Sequence, residues 1–202
     1  MHRRTVLTAV AATIGLMGCA GSWKVDYDQE LSEGDTRTWC AIDIQVDVPE
    51  SLSVSENNSL APNADIVWHG EVIGDRRAQV ASILKEGIRG GFSNPHGKTN
   101  VVVAVRLNHF HAVTPAAVSR APAAVHNISY DIQVFDAETK EPLTEPETIQ
   151  ADLEAYVGAS AVTAALQGQT QRVRIVRHLA AVTAGWLGFG PDQRREFAGI
   201  GR

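Results

Sequence analysis

The stretch VVVAVRL, residues 101–107, is the clearest strand signal in the chain. β-Branched residues favour an extended backbone. A strand with apolar residues at nearly every position is buried on both faces, so this stretch predicts a strand near the centre of a sheet. With 202 residues, the chain is long enough to build one domain around such a sheet without a metal or a disulfide.

Upstream of this strand, two further extended segments are predicted. Apolar and polar residues alternate within residues 39–48, which is typical of a strand with one buried face, and Pro49 ends it. After a polar loop, residues 66–69 (IVWH) predict a shorter strand.

A helix is predicted between these segments and the central strand. Asp75 is a suitable N-cap, and Gly90-Gly91 supply the end. The large apolar residues between them have the spacing of one helix face: Val80, Ile83, Leu84 and Ile88.

Downstream, two alternating segments and a helix complete the pattern. Residues 127–135 and 149–157 each place large apolar side chains on one face, and the polar turn at residues 136–140 indicates a meander. Residues 169–187 have helical spacing and are followed by glycines.

The order strand, helix, strand, strand, strand, helix predicts an α+β two-layer sandwich. About four main strands would carry two helices on one face. We assign this single domain to residues 39–190, with a tether at residues 19–38 and a flexible tail at residues 191–202.

The N-terminus carries the features of an export signal in residues 1–18. His2-Arg3-Arg4 is the basic start, and residues 5–15 are small and apolar. A transmembrane helix needs about 20 apolar residues, so a cleaved signal peptide is the better prediction. The paired arginines also resemble a twin-arginine signal, and both export routes stay open.

The motif Leu16-Met17-Gly18-Cys19 resembles the lipobox of bacterial lipoproteins. The resemblance implies cleavage after Gly18 and attachment of acyl chains such as palmitate to Cys19 and its new amino group. Two or more chains anchor a protein stably, whereas one does not. Because Ala20 rather than aspartate follows, the resemblance implies the outer membrane, facing the periplasm. The alternative is an ordinary secretory signal in which Cys19 stands by chance.

Charge and cysteine content exclude two classes of protein. The formal net charge is −5, and removal of residues 1–18 leaves 16 basic against 23 acidic residues, hence −7. Nucleic-acid binding needs a basic surface and is not expected. Cys40 is the only cysteine besides Cys19, so a disulfide scaffold is excluded. Cys40 is either buried or available to a partner thiol.

Several stretches resemble uncharacterised alphaproteobacterial lipoproteins that share a domain of unknown function. They span most of residues 39–190 and imply no known activity. The element order behind a lipobox also resembles the lipoprotein subunit of the lipopolysaccharide translocon and the auxiliary lipoproteins of lipid-trafficking ABC transporters; this second likeness concerns architecture alone. The stretches that carry the first resemblance are ADIVWHGE (64–71), GDRRAQV (74–80), FHAVT (110–114), QTQRVRI (169–175) and WLG (186–188).

Two histidines suggest a metal site. His109 and His111 are two residues apart on a predicted strand, so they share a face, and His69 or His126 would be the third ligand. The alternative is that their rings complete the end of the apolar strand through hydrogen bonds.

A second candidate is a partner or anion site formed by Trp68, His69, Asp75, Arg76 and Arg77. These residues flank a predicted strand-to-helix turn, and a helix N-terminus with two arginines attracts an anion. The alternative is an ordinary N-cap with solvated arginines.

The arginines of the last helix also have two interpretations. In an acidic protein they form either a solvated face or an interface: Arg172, Arg174 and Arg177, with His178 beside them.

No GxSxG, phosphate-loop, HExxH or CxxC motif occurs, and we expect neither catalytic residues nor a cofactor. The sequence predicts a non-enzymatic, membrane-anchored binding or assembly module of the cell envelope. Its expected partners are membrane lipid, through Cys19, and an envelope protein. The alternatives are a lipid- or ligand-carrying accessory domain of an envelope transporter, and a metal-dependent hydrolase that uses His109 and His111.

Overall fold

The computed structural model describes residues 22–92 and 97–198. Within these ranges nine strands form one mixed sheet, and none of the five helices is long and apolar enough to cross a bilayer. The strands are β1 (Ser22–Asp26), β2 (Trp39–Asp47), β3 (Val54–Ser55), β4 (Ile66–Val67), β5 (Thr99–His111), β6 (Ala124–Asp136), β7 (Glu147–Ala151), β8 (Leu153–Ala155) and β9 (Arg195–Ala198). The helices are α1 (Glu33–Thr36), α2 (Arg76–Gly91), α3 (Pro115–Arg120), α4 (Gly158–Leu166) and α5 (Gln171–Trp186).

Strand β5, which contains the VVVAVRL stretch, lies inside the sheet as predicted. On one side it pairs antiparallel with β6. On the other side it pairs parallel with β2 over its first half and with β4 at its end. The sheet order is β3-β4-β5-β6-β7-β1-β9, with β2 paired to β5 and β8 paired to β6.

The predicted strand at residues 149–157 is in fact two short strands separated by Asp152. The Asp152 carboxylate accepts hydrogen bonds from the backbone N–H of Lys24 (3.0 Å), the Asn127 side chain (2.7 Å) and the backbone N–H of Ile128 (3.2 Å). A buried carboxylate needs such donors. They draw Asp152 out of the ladder, so β7 and β8 pair with β6 separately.

The sheet extends beyond the predicted domain at both ends of the chain. Strand β1 falls within the predicted tether and pairs antiparallel with β7, and β9 falls within the predicted tail and pairs with β1. Trp23 and Val25 of β1 are buried. The alternating stretch is only about five residues long, too short to identify a strand among polar neighbours.

Strand directions define one end of the sheet that matters below. Strand β7 is antiparallel to β6, and β1 is antiparallel to β7, so β1 and β6 begin at the same end. Strands β5, β8 and β9 finish there. We call it the Ser22 end, because Ser22 is the first residue of β1.

Helices α2 and α5 pack side by side on one face of the sheet. Every residue of the predicted stripe of α2 is fully buried. The helices approach closely where α2 has glycine: a Cβ on Gly87 would lie 2.5 Å from the Cβ of Leu179, and one on Gly91 would lie 2.4 Å from the Cβ of Thr183. The buried face of α5 consists mainly of Ile175, Leu179, Val182 and Trp186.

The predicted four strands and two helices are therefore too few. The three additional helices are short, and the longest of them, α4, has the sequence GASAVTAAL. Its small residues produce no stripe of large apolar side chains, so periodicity does not reveal it. Both α3 and α4 lie at the Ser22 end, where α3 connects β5 to β6 and α4 follows β8.

Candidate functional site

Two residues of the predicted anion site, Asp75 and Arg76, already bind other groups of the protein. Asp75 caps α2 by accepting a hydrogen bond from the N–H of Ala78 at 3.0 Å, as predicted. The buried Arg76 guanidinium forms a bidentate ion pair with Glu56, through Nε–Oε1 at 2.7 Å and Nη2–Oε2 at 2.9 Å. Its Nη1 donates to the carbonyl oxygens of Glu71 and Val72 and to Gln79. An outside anion would have to displace Glu56.

Two other members of that predicted site, Arg77 and Trp68, also have structural roles. Arg77 donates to the carbonyl oxygens of Glu50 and Leu52 and so fixes the loop after β2. Trp68 is fully buried and packs edge-on against Phe110, with ring centroids 5.9 Å apart. His69 is half-buried, and its Nε2 atom has no hydrogen-bond partner.

The histidines of the predicted metal site stack on each other, with centroids 5.8 Å apart and an interplanar angle of 4°. A bulge between Leu107 and His109 shifts the register, so His109 and His111 lie on the face opposite to Leu107. A ring nitrogen of His111 lies 2.9 Å from the carbonyl oxygen of Pro62, as the hydrogen-bonding alternative predicts. Within the described ranges, no three His, Cys, Asp or Glu side chains are grouped to hold a metal.

The lipobox residues Leu16, Met17, Gly18 and Cys19 lie outside the described residues. Their roles therefore stay predictions. Cys40 is described and is half-buried in β2.

A cleft lies between α4 and the start of α5, and we call it the α4–α5 cleft. It encloses about 330 Å³. Val118 of α3 and several residues of α4 form its apolar wall, and Gly70 borders it from the loop before α2. Its polar lining consists of Tyr156, Gln169, Thr170, Gln171 and Arg174.

Arg174 is the only charged side chain in this lining. Its guanidinium carbon lies 3.6 Å from the centroid of the Tyr156 ring, and Nη2 donates to the carbonyl oxygen of Glu154 at 2.7 Å. Burial lowers the pKa of Arg174, and only Tyr156 and Glu154 act in the opposite direction. None of the ion pairs formed by residues 22–92 and 97–198 includes Arg174. A half-buried cation without a carboxylate is unfavourable unless an anion binds beside it.

Two neutral histidines lie near this arginine. Burial lowers the pKa of His126 to about 3, and the nearby charge of Arg174 adds to the effect. Burial lowers the pKa of His178 to about 4, with Arg195 as the next cause. The surroundings of Arg174 are thus cationic or neutral, apart from Glu154, and favour an anion.

A larger depression of about 470 Å³ lies on the sheet face opposite the helices. Two of its polar lining groups are hydrogen-bonded within the fold: Asp131 accepts from Asn108 and from Thr148, each at 2.8 Å, and Gln133 donates to the carbonyl oxygen of Thr144 at 2.9 Å. Such ladders are typical of a solvated sheet face. We therefore assign the candidate site to the α4–α5 cleft.

Sequence reasoning identified one part of this site and missed the rest. Arg174 was named as part of a possible interface, whereas Tyr156 and α4 were not recognised. The charge pattern of the sequence contains a signal that could have indicated this site. Residues 155–191 contain three arginines and no aspartate or glutamate, although the whole chain is acidic.

Comparison with known proteins identifies a family. Residues 39–202 match the model of DUF6778, a family of unknown function. No curated protein matches the chain. The predicted membership of a family without known function is thereby confirmed, while the alphaproteobacterial source stays a prediction.

Three solved structures are distantly similar. A candidate lipoprotein from Caulobacter crescentus CB15 is 11% identical over 73% of this chain and 86% of its own, with a TM-score of 0.39. A Xanthomonas campestris protein of the DUF330 family is 12% identical over 73% and 83%, with a TM-score of 0.41. The PelC dodecamer from Paraburkholderia phytofirmans is 13% identical over 77% and 95%, with a TM-score of 0.30. At these values we transfer nothing from them.

Proposed function

We propose that this chain, which belongs to the DUF6778 family of unknown function, is a lipid-anchored, non-enzymatic binding module of the cell envelope. The α4–α5 cleft is its binding site. Its ligand is an anionic group carried on an apolar body, such as the headgroup and first methylenes of an acidic lipid.

The observation that carries this proposal is the position of Arg174. A guanidinium that is half-buried, stacked on Tyr156 and without a carboxylate partner lies at the polar side of an apolar-walled cleft. Guanidinium groups bind carboxylates and phosphates in a bidentate manner. Apolar walls with a few convergent polar groups are typical of ligand sites.

The cleft chemistry favours binding over catalysis. Its polar lining groups are two glutamines, a threonine, a tyrosine and an arginine. None of these side chains has an ordinary pKa near neutrality, as a general base requires. Thr170 is engaged as the N-cap of α5, accepting from the N–H of Val173 at 3.3 Å.

The envelope location rests on the lipobox. Acylation of Cys19 would hold the domain on a membrane, and Ala20 favours the periplasmic face of the outer membrane by resemblance. An envelope protein stays the expected macromolecular partner.

The cleft volume supports binding of a headgroup rather than transport of a whole lipid. About 330 Å³ is at the lower limit of ligand pockets and admits a headgroup with a short chain segment. A carrier that shields complete acyl chains needs a larger enclosure. We therefore prefer the binding module to the accessory carrier domain of an envelope transporter.

The test compares wild type with Arg174→Gln and Arg89→Gln, each as the full chain processed in a bacterial host. Arg89 is the matched control, because it is an exposed arginine in the last turn of α2 and does not line the cleft. Native mass spectrometry of the detergent-released protein counts bound anionic lipid, and the mass of the N-terminal fragment reports acylation of Cys19.

We expect one anionic amphiphile on wild type and on Arg89→Gln, and about tenfold weaker retention on Arg174→Gln, because that variant loses a charge-assisted contact. Equal retention in all three variants, or no bound amphiphile on wild type, would contradict the binding site. A mature protein without acyl chains on Cys19 would contradict the anchor.

A further inference from the structure

The four most exposed large apolar side chains of the described residues belong to two segments that border the α4–α5 cleft, namely α4 and the loop that contains Gly70. Val72 and Ile73 are 89% and 84% exposed, and Val162 and Leu166 are 62% and 85% exposed. We call these four residues the apolar rim. Apolar side chains that are exposed together, rather than singly, mark an interaction surface.

Two of these residues belong to α4, which is built for exposure. Val162 and Leu166 are four positions apart, so both project from the same side of the helix. Ala164 is the only buried residue among the nine of α4. Burial in the core therefore does not explain why this helix is apolar.

The other two residues belong to the loop before α2, which is held against the same cleft. Gly70 of this loop lines the cleft, and Glu71 forms an ion pair with Arg172 at 3.4 Å. Arg172 also contacts Glu86 of α2 at 2.6 Å. These contacts fix Val72 and Ile73 beside the start of α5.

The chain enters the domain at the same end of the sheet. Strand β1 begins at Ser22, and the Ser22 end is where β8 passes into α4 and where β4 passes into the loop of Val72. Only two residues, Ala20 and Gly21, separate Cys19 from Ser22. The Cα atoms of Cys19 and Ser22 can be at most about 10 Å apart, so acyl chains on Cys19 would hold this end of the domain against the bilayer.

Local charge suits an anionic membrane. Arg172 of α5 is paired with Glu71 and Glu86, but Arg177 on the same helix is exposed and is in none of the ion pairs of the described residues. Arg120 at the end of α3 is exposed as well. Basic residues next to an apolar surface are attracted to acidic headgroups, even when the protein as a whole is acidic.

We infer that the apolar rim is a second membrane contact: it rests on the bilayer that holds the Cys19 anchor and directs the α4–α5 cleft towards the lipid headgroups. This inference depends on the proposed anchor. A lipid surface accounts together for the anchor at the Ser22 end, the exposed apolar side chains and the exposed arginines nearby. A protein partner would not account for the position of the anchor.

The experiment uses the full chain, processed in a bacterial host and reconstituted into vesicles of phosphatidylcholine with phosphatidylglycerol. Spin labels are placed at Leu166→Cys or at Leu143→Cys, in a Cys40→Ser background. Leu143 is the matched control, because it is an exposed leucine in the turn between β6 and β7, at the opposite end of the sheet. Accessibility to oxygen, which enriches in lipid, is compared with accessibility to a water-soluble nickel complex.

We expect the label at position 166 to be several-fold more accessible to oxygen than to the nickel complex, and the label at position 143 to show the reverse. If the protein floats with the vesicles while both labels report water, the membrane contact is overturned and the anchor stands. If the protein does not float at all, the anchor fails and the inference falls with it. If position 166 becomes shielded only after envelope proteins are added, the membrane contact is overturned and the apolar rim binds a protein partner instead.

Discussion

Helices α2 and α4 are both apolar in part, yet the fold uses them in opposite ways. Helix α2 buries seven of its sixteen residues, including its complete apolar stripe, between the sheet and α5. Helix α4 buries one of nine and exposes Val162 and Leu166 at the edge of a cleft. Burial therefore stabilises the α2–α5 layer most, whereas α4 leaves apolar side chains exposed at the surface.

The largest effect is expected where α2 and α5 touch. In Gly87→Val, the new side chain meets the Cβ of Leu179 and the carbonyl oxygen of Val176, where even a bare Cβ would be only 2.5 and 3.1 Å away. We expect a loss of about 3 kcal/mol in unfolding free energy by urea denaturation. Ser82→Val places the same side chain on the exposed face of α2 and should cost less than about 0.5 kcal/mol. Equal losses would mean that the close helix contact is not what limits stability.

The next largest effect concerns the buried ion pair at the start of α2. Arg76→Gln removes the bidentate contact with Glu56 and the bonds that hold the carbonyl oxygens of Glu71 and Val72. We expect a loss of about 2 kcal/mol, because hydrogen bonds to a charged group are lost in a buried place. Lys85→Gln removes an exposed ion pair of the same helix and should change stability by about 0.5 kcal/mol or less. The same thermal or urea series measures both.

An effect that is small near neutral pH and grows with acidity should come from the histidines near Arg174. The pKa of His126 is about 3 and that of His178 about 4 in the folded state, because both are buried. The unfolded chain binds these protons near pH 6.5. The unfolding free energy should thus keep its full value above pH 6.5. It should fall as the pH drops towards 4, by up to about 1.4 kcal/mol per pH unit for each histidine.

His126→Gln tests that assignment. Between pH 6.5 and 4, the unfolding free energy of the variant should decline less steeply than that of wild type. The difference between the two slopes should correspond to about one bound proton. Burial raises the pKa of Asp152, which acts in the opposite direction, but this contribution is common to both proteins. Superimposable pH profiles would contradict the buried, neutral state of His126.

The smallest effect on stability is expected in α4. The double variant Val162→Ser, Leu166→Ser should change unfolding free energy by less than about 0.5 kcal/mol, since exposed substitutions away from the core cost little. Val80→Ser in α2 is the contrasting control, because its side chain is fully buried and the loss should reach several kcal/mol. A large loss in the α4 variant would show that its apolar residues stabilise the fold.

How much of this structure could be predicted depends on how each segment buries its residues. The stripe of α2 and the strand at residues 101–107 repeat large apolar residues with a clear period, so both were predicted correctly. Helix α4 consists of small residues at the surface and has no such period. The bulge before His109 reverses the face of the following residues, and no local pattern announces it. Long-range pairing likewise places β1 and β9 in the sheet.

The candidate site was harder to predict because tertiary contacts create it. Arg76 and Arg174 look alike in the sequence, yet Arg76 is paired with Glu56 twenty residues away. Arg174 is in none of the ion pairs of the described residues; it stacks on Tyr156 and donates to a backbone carbonyl oxygen. Arg76 and Arg77 were the arginines predicted for an anion site, whereas the site proposed above is centred on Arg174. The acid-free stretch at residues 155–191 was the available signal.

The most direct test of the central claim is amide hydrogen exchange of the acylated full chain in vesicles that contain phosphatidylglycerol. Wild type is compared with the double variant Val162→Ser, Leu166→Ser. We predict that the amides of α4 exchange several-fold more slowly in wild type than in the variant, while the amides of α2 exchange at equal rates in both. Equal exchange of α4 in the two proteins would contradict the claim that its exposed apolar residues are a binding surface.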